Sequence, residues 1–152
     1  MIAYTDLKYF ENEKFGAIFS FSVLEHTVMP WVVALEMIKL VELGGLILAH
    51  VPSALPPHEQ PSDFWRISPD GLKVLFSPSL GMNVEAVLYD HPLHMYLDNP
   101  VPGQEMLPTN PAYSFAGILA RKVSEIDYSQ YKWFSSHEEV IGRANFYPAP
   151  IK

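Results

Sequence analysis

The sequence predicts an α/β fold with a mostly parallel sheet, an antiparallel strand at one edge and flanking helices. Two continuous apolar runs, Phe15–Phe21 and residues 46–51, have the pattern of strands buried on both faces of a parallel sheet. A stretch with helical spacing separates them. Strand, helix, strand in this order predicts a crossover unit that joins two parallel neighbours.

The crossover helix is predicted over residues 30–43. Pro30 suits the first helical turn, and apolar side chains then recur at helical spacing, at Trp31, Ala34, Leu35 and Ile38. Gly44 and Gly45 follow this stretch. Since glycine commonly terminates helices, we expect the pair to end this one.

The second half of the chain adds a short helix and two strands. Ser68 as N-cap and Pro69 in the first turn predict a helix over residues 68–76. After Gly81, strands are predicted over residues 83–89 and 112–123, paired as an antiparallel hairpin across a long loop. Such a late antiparallel strand is common at one edge of an otherwise parallel sheet.

The chain is expected to comprise a domain over residues 1–123 and a C-terminal extension over residues 124–152. A capping-box pattern beginning at Ser136 predicts a short helix in that extension. Its aromatic side chains are expected to pack on the domain or on a partner.

Composition restricts the class of protein. The 152 residues are 49% hydrophobic and 18% charged, as in a single globular domain. A net charge of −7 with only ten Lys and Arg disfavours nucleic-acid binding. No cysteine is present for a disulfide or a thiolate metal site. Without a signal-peptide pattern or a run long enough to cross a bilayer, we expect a cytoplasmic protein with no membrane contact.

The phrase FGAIFSFSVLEHT at residues 15–27 carries a family resemblance. Together with Pro30-Trp31 and the Leu43-Gly44-Gly45 turn, it resembles the fourth strand, following helix and fifth strand of class I S-adenosylmethionine-dependent methyltransferases, of type 11-like sequence. Gly16 stands where the family usually has Asp. The resemblance covers residues 6–123 and implies the C-terminal half of a Rossmann-like methyltransferase fold. In that fold the fourth, fifth, seventh and sixth strands are neighbours in this order.

A second phrase resembles small-molecule methyltransferases: His58, Pro61 and then Asp63-Phe64-Trp65-Arg66. The resemblance implies catalytic roles for His58, Asp63 and Arg66, and a substrate-binding role for Trp65 beside a small-molecule acceptor. A histidine and an aspartate could orient or deprotonate the acceptor, and Arg66 could hold a carboxylate or phosphate. The alternative is that Asp63 and Arg66 pair and fasten the loop.

The resemblance also implies S-adenosylmethionine as cofactor. The residues that would contact it are Asp6, Ser22, Val23, Glu25 and His26. Alternatively, Glu25 and His26 brace the helix that follows. The glycine-rich loop by which the family binds this cofactor has no counterpart, because the only adjacent glycines are Gly44 and Gly45. Cofactor binding by this chain alone is therefore expected to be incomplete.

Without a first-strand neighbour, Phe15–Phe21 would leave an apolar strand edge unpaired, so we expect a second copy or another partner to cover it. Two functions follow. One is a methyltransferase-like protein acting on a small molecule; the other is a non-catalytic, truncated fragment that serves as an oligomerisation or interaction module. The sequence leaves open whether the chain is an enzyme.

Asp90, His91, His94 and Asp98 are spaced so that they could suggest a metal site. Pro92 and Leu93 make that spacing typical of a loop, and structural or solvated histidines are the favoured interpretation. No metal site is predicted.

Overall fold

The computed structural model describes residues 10, 13–95, 102–103 and 111–129. Within these residues, four strands and two helices follow in the order β1 (Phe15–Phe21), α1 (Pro30–Leu40), β2 (Val41–Pro52), α2 (Pro69–Leu75), β3 (Met82–His94) and β4 (Pro111–Lys122). Short helical turns lie at Leu24–His26 and Pro78–Leu80. Asp6, Asp98 and the helix predicted near Ser136 lie outside the described residues.

The strands form one sheet in the order β1-β2-β4-β3. β1 and β2 are parallel, and β4 runs antiparallel to both β2 and β3. This confirms the α/β fold class, the crossover through α1 and the late antiparallel hairpin. The order β1-β2-β4-β3 is the order of the fourth, fifth, seventh and sixth strands that the resemblance implied. The antiparallel strand β4 therefore lies one position inside the edge, with β3 on its outer side.

The end of α1 differs from the prediction. The helix ends at Leu40 and not at the glycine pair, because Val41 already pairs with Phe15 of β1. The following residues bulge out of register before Leu46 pairs with Ala17. Gly44 has a left-handed φ of 85° within this bulge. A side chain on Gly45 would place its Cβ 2.9 Å from the Gly16 carbonyl oxygen. The glycines therefore serve the irregular start of β2 and not the end of the helix.

The second half agrees with its prediction apart from the lengths of the elements. The Ser68 side chain accepts a hydrogen bond from the Gly71 N–H at 3.2 Å, which satisfies a free donor at the start of α2. β3 extends to His94, so the hairpin loop begins later than expected.

One face of the sheet carries the core. Alternate residues of β2 and β4 on this face are fully or almost fully buried, namely Ile47, Ala49, Val51, Ala116, Ile118 and Ala120. They belong to the same buried cluster as Ile38 of α1 and Leu72 of α2. Ile126, just after β4, packs against this cluster too. Both described helices thus cover a single face of the sheet.

The opposite face of β1 is open. Phe19 and Phe21 are 65% and 54% exposed, and their rings stack with centroids 6.2 Å apart. The expectation that β1 is buried on both faces is wrong for the described residues, because α1 and α2 lie on the other side. Neither of these two helices has the length and apolar content needed to cross a lipid bilayer.

Candidate functional site

The candidate site begins where β1 ends. Ser22 adopts a left-handed φ of 51°, which is uncommon for a residue other than glycine. Its N–H donates to the His50 carbonyl oxygen of β2 at 2.9 Å. The chain therefore turns sharply at the carboxyl ends of two parallel strands, the edge at which open α/β sheets bind ligands. Val23 follows, half-buried.

Glu25 lies in the turn after β1 and is fully buried. Neither carboxylate oxygen has a hydrogen-bond partner within the part of the chain that the structure describes. Burial raises the pKa of this carboxyl, because the charged form loses its hydration. The Glu25 backbone carbonyl accepts from the N–H of Phe64 at 2.8 Å. The turn is thus joined to the loop that follows β2.

Two histidines lie beside this carboxylate. The rings of His26 and His58 meet edge to face with centroids 5.0 Å apart. His26 Nε2 is 3.7 Å from Glu25 Oε1, and His26 Nδ1 is 2.6 Å from the Ser62 carbonyl oxygen. Since a carbonyl only accepts, Nδ1 carries the hydrogen, which leaves Nε2 of the neutral ring with a free lone pair.

Asp63 and Arg66 form a bidentate pair. Arg66 donates to the two Asp63 oxygens at 2.6 and 2.7 Å, and the Asp63 side chain is 3% exposed. The Arg66 hydrogen bonds, with a further one from the His58 N–H, hold the pKa of the Asp63 carboxyl well below its usual range.

Arg66 has all of its hydrogens engaged. Its remaining guanidinium hydrogens are donated to the backbone carbonyls of Leu55, Pro56 and Trp65 at 2.8 to 2.9 Å. With the two bonds to Asp63, these account for the five donors of the group. This geometry favours the alternative in which the pair fastens the loop, because an anionic substrate would have to displace an existing acceptor.

Trp65 connects the loop to the start of α1. Its Nε1–H donates to the Thr27 carbonyl oxygen at 2.9 Å, and its ring meets Trp31 edge to face at 5.8 Å. The residue is still 37% exposed, and its neighbour Phe64 is 46% exposed. An open pocket of about 290 Å³ is lined by Leu55, Pro57, Gln60, Asp63, Phe64, Trp65 and Arg66.

The structure therefore brings residues predicted to contact the cofactor next to a residue predicted to be catalytic. Glu25 and His26, expected at the cofactor, lie against His58, which was expected to be catalytic. The catalytic, cofactor-binding and substrate-binding roles stay predictions. Backbone carbonyls that hold the cluster, such as those of Ser62 and Thr27, were missed, because a carbonyl present in every residue gives no sequence signal.

A second polar cluster forms at Asp90. Asp90 Oδ2 lies 2.9 Å from His91 Nδ1 and 3.5 Å from His50 Nε2. The hydrogen bond from the His91 N–H lowers the pKa of the Asp90 carboxyl. The sequence pattern had grouped Asp90 and His91 with His94 and did not include His50, which lies on β2. Each of the trios Glu25–His26–His58 and His50–Asp90–His91 presents ligand atoms within 4.8 Å of one another.

S-adenosylmethionine binding by this chain stays a prediction. Ser22 and Val23, which the resemblance puts near the cofactor, directly follow the carboxyl end of β1. The left-handed glycines among the described residues lie elsewhere: Gly44 in the β2 bulge, Gly81 before β3 and Gly103 in a separate turn. None of these glycines lies in a turn from a strand into a helix, where the glycine-rich loop of the family approaches the cofactor.

Neither a protein-family model nor a curated protein matches the sequence. Solved structures do match. A protein of Haloferax volcanii described as a methyltransferase, in complex with the Trm112 methyltransferase activator, has a TM-score of 0.55 at 15% identity. The match covers 82% of this chain and 60% of that structure.

Two further structures are similar. A protein of Bacillus halodurans described as a methyltransferase has a TM-score of 0.55 at 12% identity, covering 80% of this chain and 69% of that one. The (4+2)-cyclase SpnF has a TM-score of 0.50 at 14% identity, covering 80% of this chain and 54% of that one. This chain thus spans between about half and two thirds of these structures. Its α/β sheet has the methyltransferase-like Rossmann fold.

Proposed function

We propose that this chain is an S-adenosylmethionine-dependent methyltransferase-like protein that acts on a small-molecule acceptor and supplies only part of the cofactor site. One observation carries the proposal: in a sheet of this topology, polar residues from the β1 turn and from the loop after β2 converge at the carboxyl end of β1. Ligands of open α/β sheets bind at that edge. The fold alone does not fix the reaction, since one similar structure is a cyclase.

The side chains around the loop after β2 support a small acceptor with an apolar or aromatic part. The pocket of about 290 Å³ lies beside the partly exposed rings of Phe64 and Trp65. A net charge of −7 makes a polyanionic acceptor unfavourable. Catalysis would come chiefly from proximity and orientation, with His58 as the group that accepts the acceptor's proton.

The second candidate function is a non-catalytic interaction module, in which a second copy or another protein covers β1. The exposed side chains of Phe19 and Phe21 favour this function. So does the position of β1, which is an edge strand of the described sheet and pairs there with β2 on one side. One similar structure contains a methyltransferase bound to an activator protein, which supports a protein partner for a chain of this fold.

Calorimetry separates the two functions. Titration with S-adenosylmethionine and S-adenosylhomocysteine should give saturable heat in the millimolar range, weak because the glycine loop is missing. Ser22→Trp should abolish this heat by filling the edge beside β1. Val74→Trp, on the exposed side of α2, should leave it unchanged. No heat with either ligand at millimolar concentration would remove the methyltransferase proposal and leave the interaction module.

A further inference from the structure

The trio of Glu25, His26 and His58 has the donor set of a metal site. Two imidazoles and one carboxylate are the protein ligands of several catalytic zinc sites, with a fourth position left for water or substrate. In a tetrahedral zinc site, metal–ligand bonds of about 2.0 to 2.2 Å put neighbouring ligand atoms about 3.4 Å apart. Here the ligand atoms all lie within 4.8 Å of one another. A bound ion would draw these atoms closer together.

Glu25 supplies an independent reason to expect a cation. A carboxylate that is fully buried with both oxygens unpartnered among the described residues is costly, since it has lost its hydration without gaining a hydrogen bond. The group must hold a proton or meet a positive charge. Arg66 cannot serve as a direct partner, because its hydrogens are already donated to Asp63 and to backbone carbonyls.

Both histidines are oriented as metal ligands usually are. A ligating histidine donates its other ring N–H to a carbonyl or carboxylate, which fixes the tautomer and the ring. His26 Nδ1 donates to the Ser62 carbonyl oxygen at 2.6 Å. His58 Nδ1 lies 3.3 Å from the Pro56 carbonyl oxygen and 3.6 Å from Asp63 Oδ2, either of which could accept its hydrogen. The Arg66 Nη2 donor lies 3.4 Å from the same nitrogen, but its hydrogens are already given to Pro56 and Asp63. With the hydrogen on Nδ1 of each ring, Nε2 is available.

We propose that Glu25, His26 and His58 bind a divalent transition-metal cation of the Zn²⁺ class, joining the turn after β1 to the loop after β2. Asp63 would act as a positioning residue that orients His58, and its pairing with Arg66 would hold it in place. The proposal rests on the geometry of the trio and not on methyl transfer. A bound cation would exclude His58 as the proton acceptor, because both of its ring nitrogens would then be engaged.

Zinc titration of the full chain after chelator treatment tests the proposal. We expect one Zn²⁺ per chain with micromolar or tighter affinity, measured by calorimetry and by competition with a chelating dye. His58→Ala and Glu25→Gln should each weaken binding by at least about tenfold. Glu25→Gln keeps the size of the side chain and removes its charge, so the variant should melt no lower than the metal-free parent protein.

The second trio provides the matched control. His91→Ala should retain full zinc affinity, because His91 belongs to the Asp90 cluster. Cobalt(II) gives a separate readout: the parent protein should show the visible absorption of a four-coordinate centre, and His58→Ala should lose it. No zinc binding at micromolar concentration, or binding that survives His58→Ala and Glu25→Gln but is lost in His91→Ala, would overturn the proposal.

Discussion

At the scale of single residues, Arg66 illustrates how a side chain predicted to contact substrate is committed to the architecture. The spacing of Asp63 and Arg66 allowed either a catalytic or a structural role. The structure adds three backbone carbonyl acceptors to the pair, which uses up the guanidinium hydrogens. The pairing itself was predictable from sequence. The carbonyls were not, because their positions depend on how the loop folds.

Asp63→Asn should make stability less sensitive to acid. The pKa of Asp63 is lowered in the folded chain from an ordinary value of 3.8, so its contribution is fully present above that value and is lost as pH falls toward the folded value. The parent protein should therefore exceed Asp63→Asn in unfolding free energy at neutral pH, and the difference should shrink below about pH 4.

Chemical denaturation from neutral pH to pH 2 measures this difference. Asp70→Asn is the matched control, since Asp70 also pairs with a cation three residues later but is 88% exposed. That variant should follow the parent protein closely. A difference for Asp63→Asn that stays constant through the acid range would contradict the assigned role of the pair.

At the scale of secondary-structure elements, hydrophobic patterning identified all four strands and both helices of the described chain. The apolar run Phe15–Phe21 matches β1 at both ends. The predicted end of α1 was wrong, because glycine is common both at helix ends and at irregularities in strands. Only the pairing of Val41 with Phe15 decides between them. That pairing joins residues far apart in sequence, so no local pattern could reveal it.

Gly81 and Gly44 should respond differently to alanine. Both are left-handed, with φ of 77° and 85°, a conformation that costs an L-residue about 1 to 2 kcal/mol. A Cβ on Gly81 would also overlap the Ser124 carbonyl oxygen, whereas one on Gly44 would meet nothing within 4 Å. We therefore expect Gly44→Ala to cost about 1 kcal/mol and Gly81→Ala about 3 kcal/mol or more.

Urea unfolding of the two variants at equal protein concentration gives both values. The junction between the Pro78–Leu80 turn and β3 requires the left-handed turn and the close approach to Ser124 at once. Equal destabilisation by the two substitutions would show that the contact with Ser124 does not constrain this junction.

At the scale of the whole molecule, the sheet has a covered face and an open one. The apolar runs were predicted to be buried on both sides. The core face is buried, through Ile47, Ala49 and Val51 of β2. The other face of β1 exposes Phe19 and Phe21. We propose that a partner covers this open face, because the apolar run of β1 predicts burial on both sides.

Phe19→Lys with Phe21→Lys should reduce self-association. If a second copy covers β1, the parent protein should form dimers at micromolar concentration in light scattering, and charged side chains on the open face should shift it toward monomer. Val74→Lys, on the 70% exposed residue of α2, is the control and should not change the mass. A parent protein that is monomeric at every concentration would leave only a different protein as the partner.

We expect ligands of this fold to bind at the carboxyl end of β1. Backbone amide NMR of the labelled chain, titrated with S-adenosylhomocysteine, can locate the binding site residue by residue. Chemical-shift changes should be concentrated at Ser22, Val23 and Glu25 and in the loop from Leu55 to Arg66. Changes confined to β3 and β4, or none at millimolar ligand, would rule out binding at this edge.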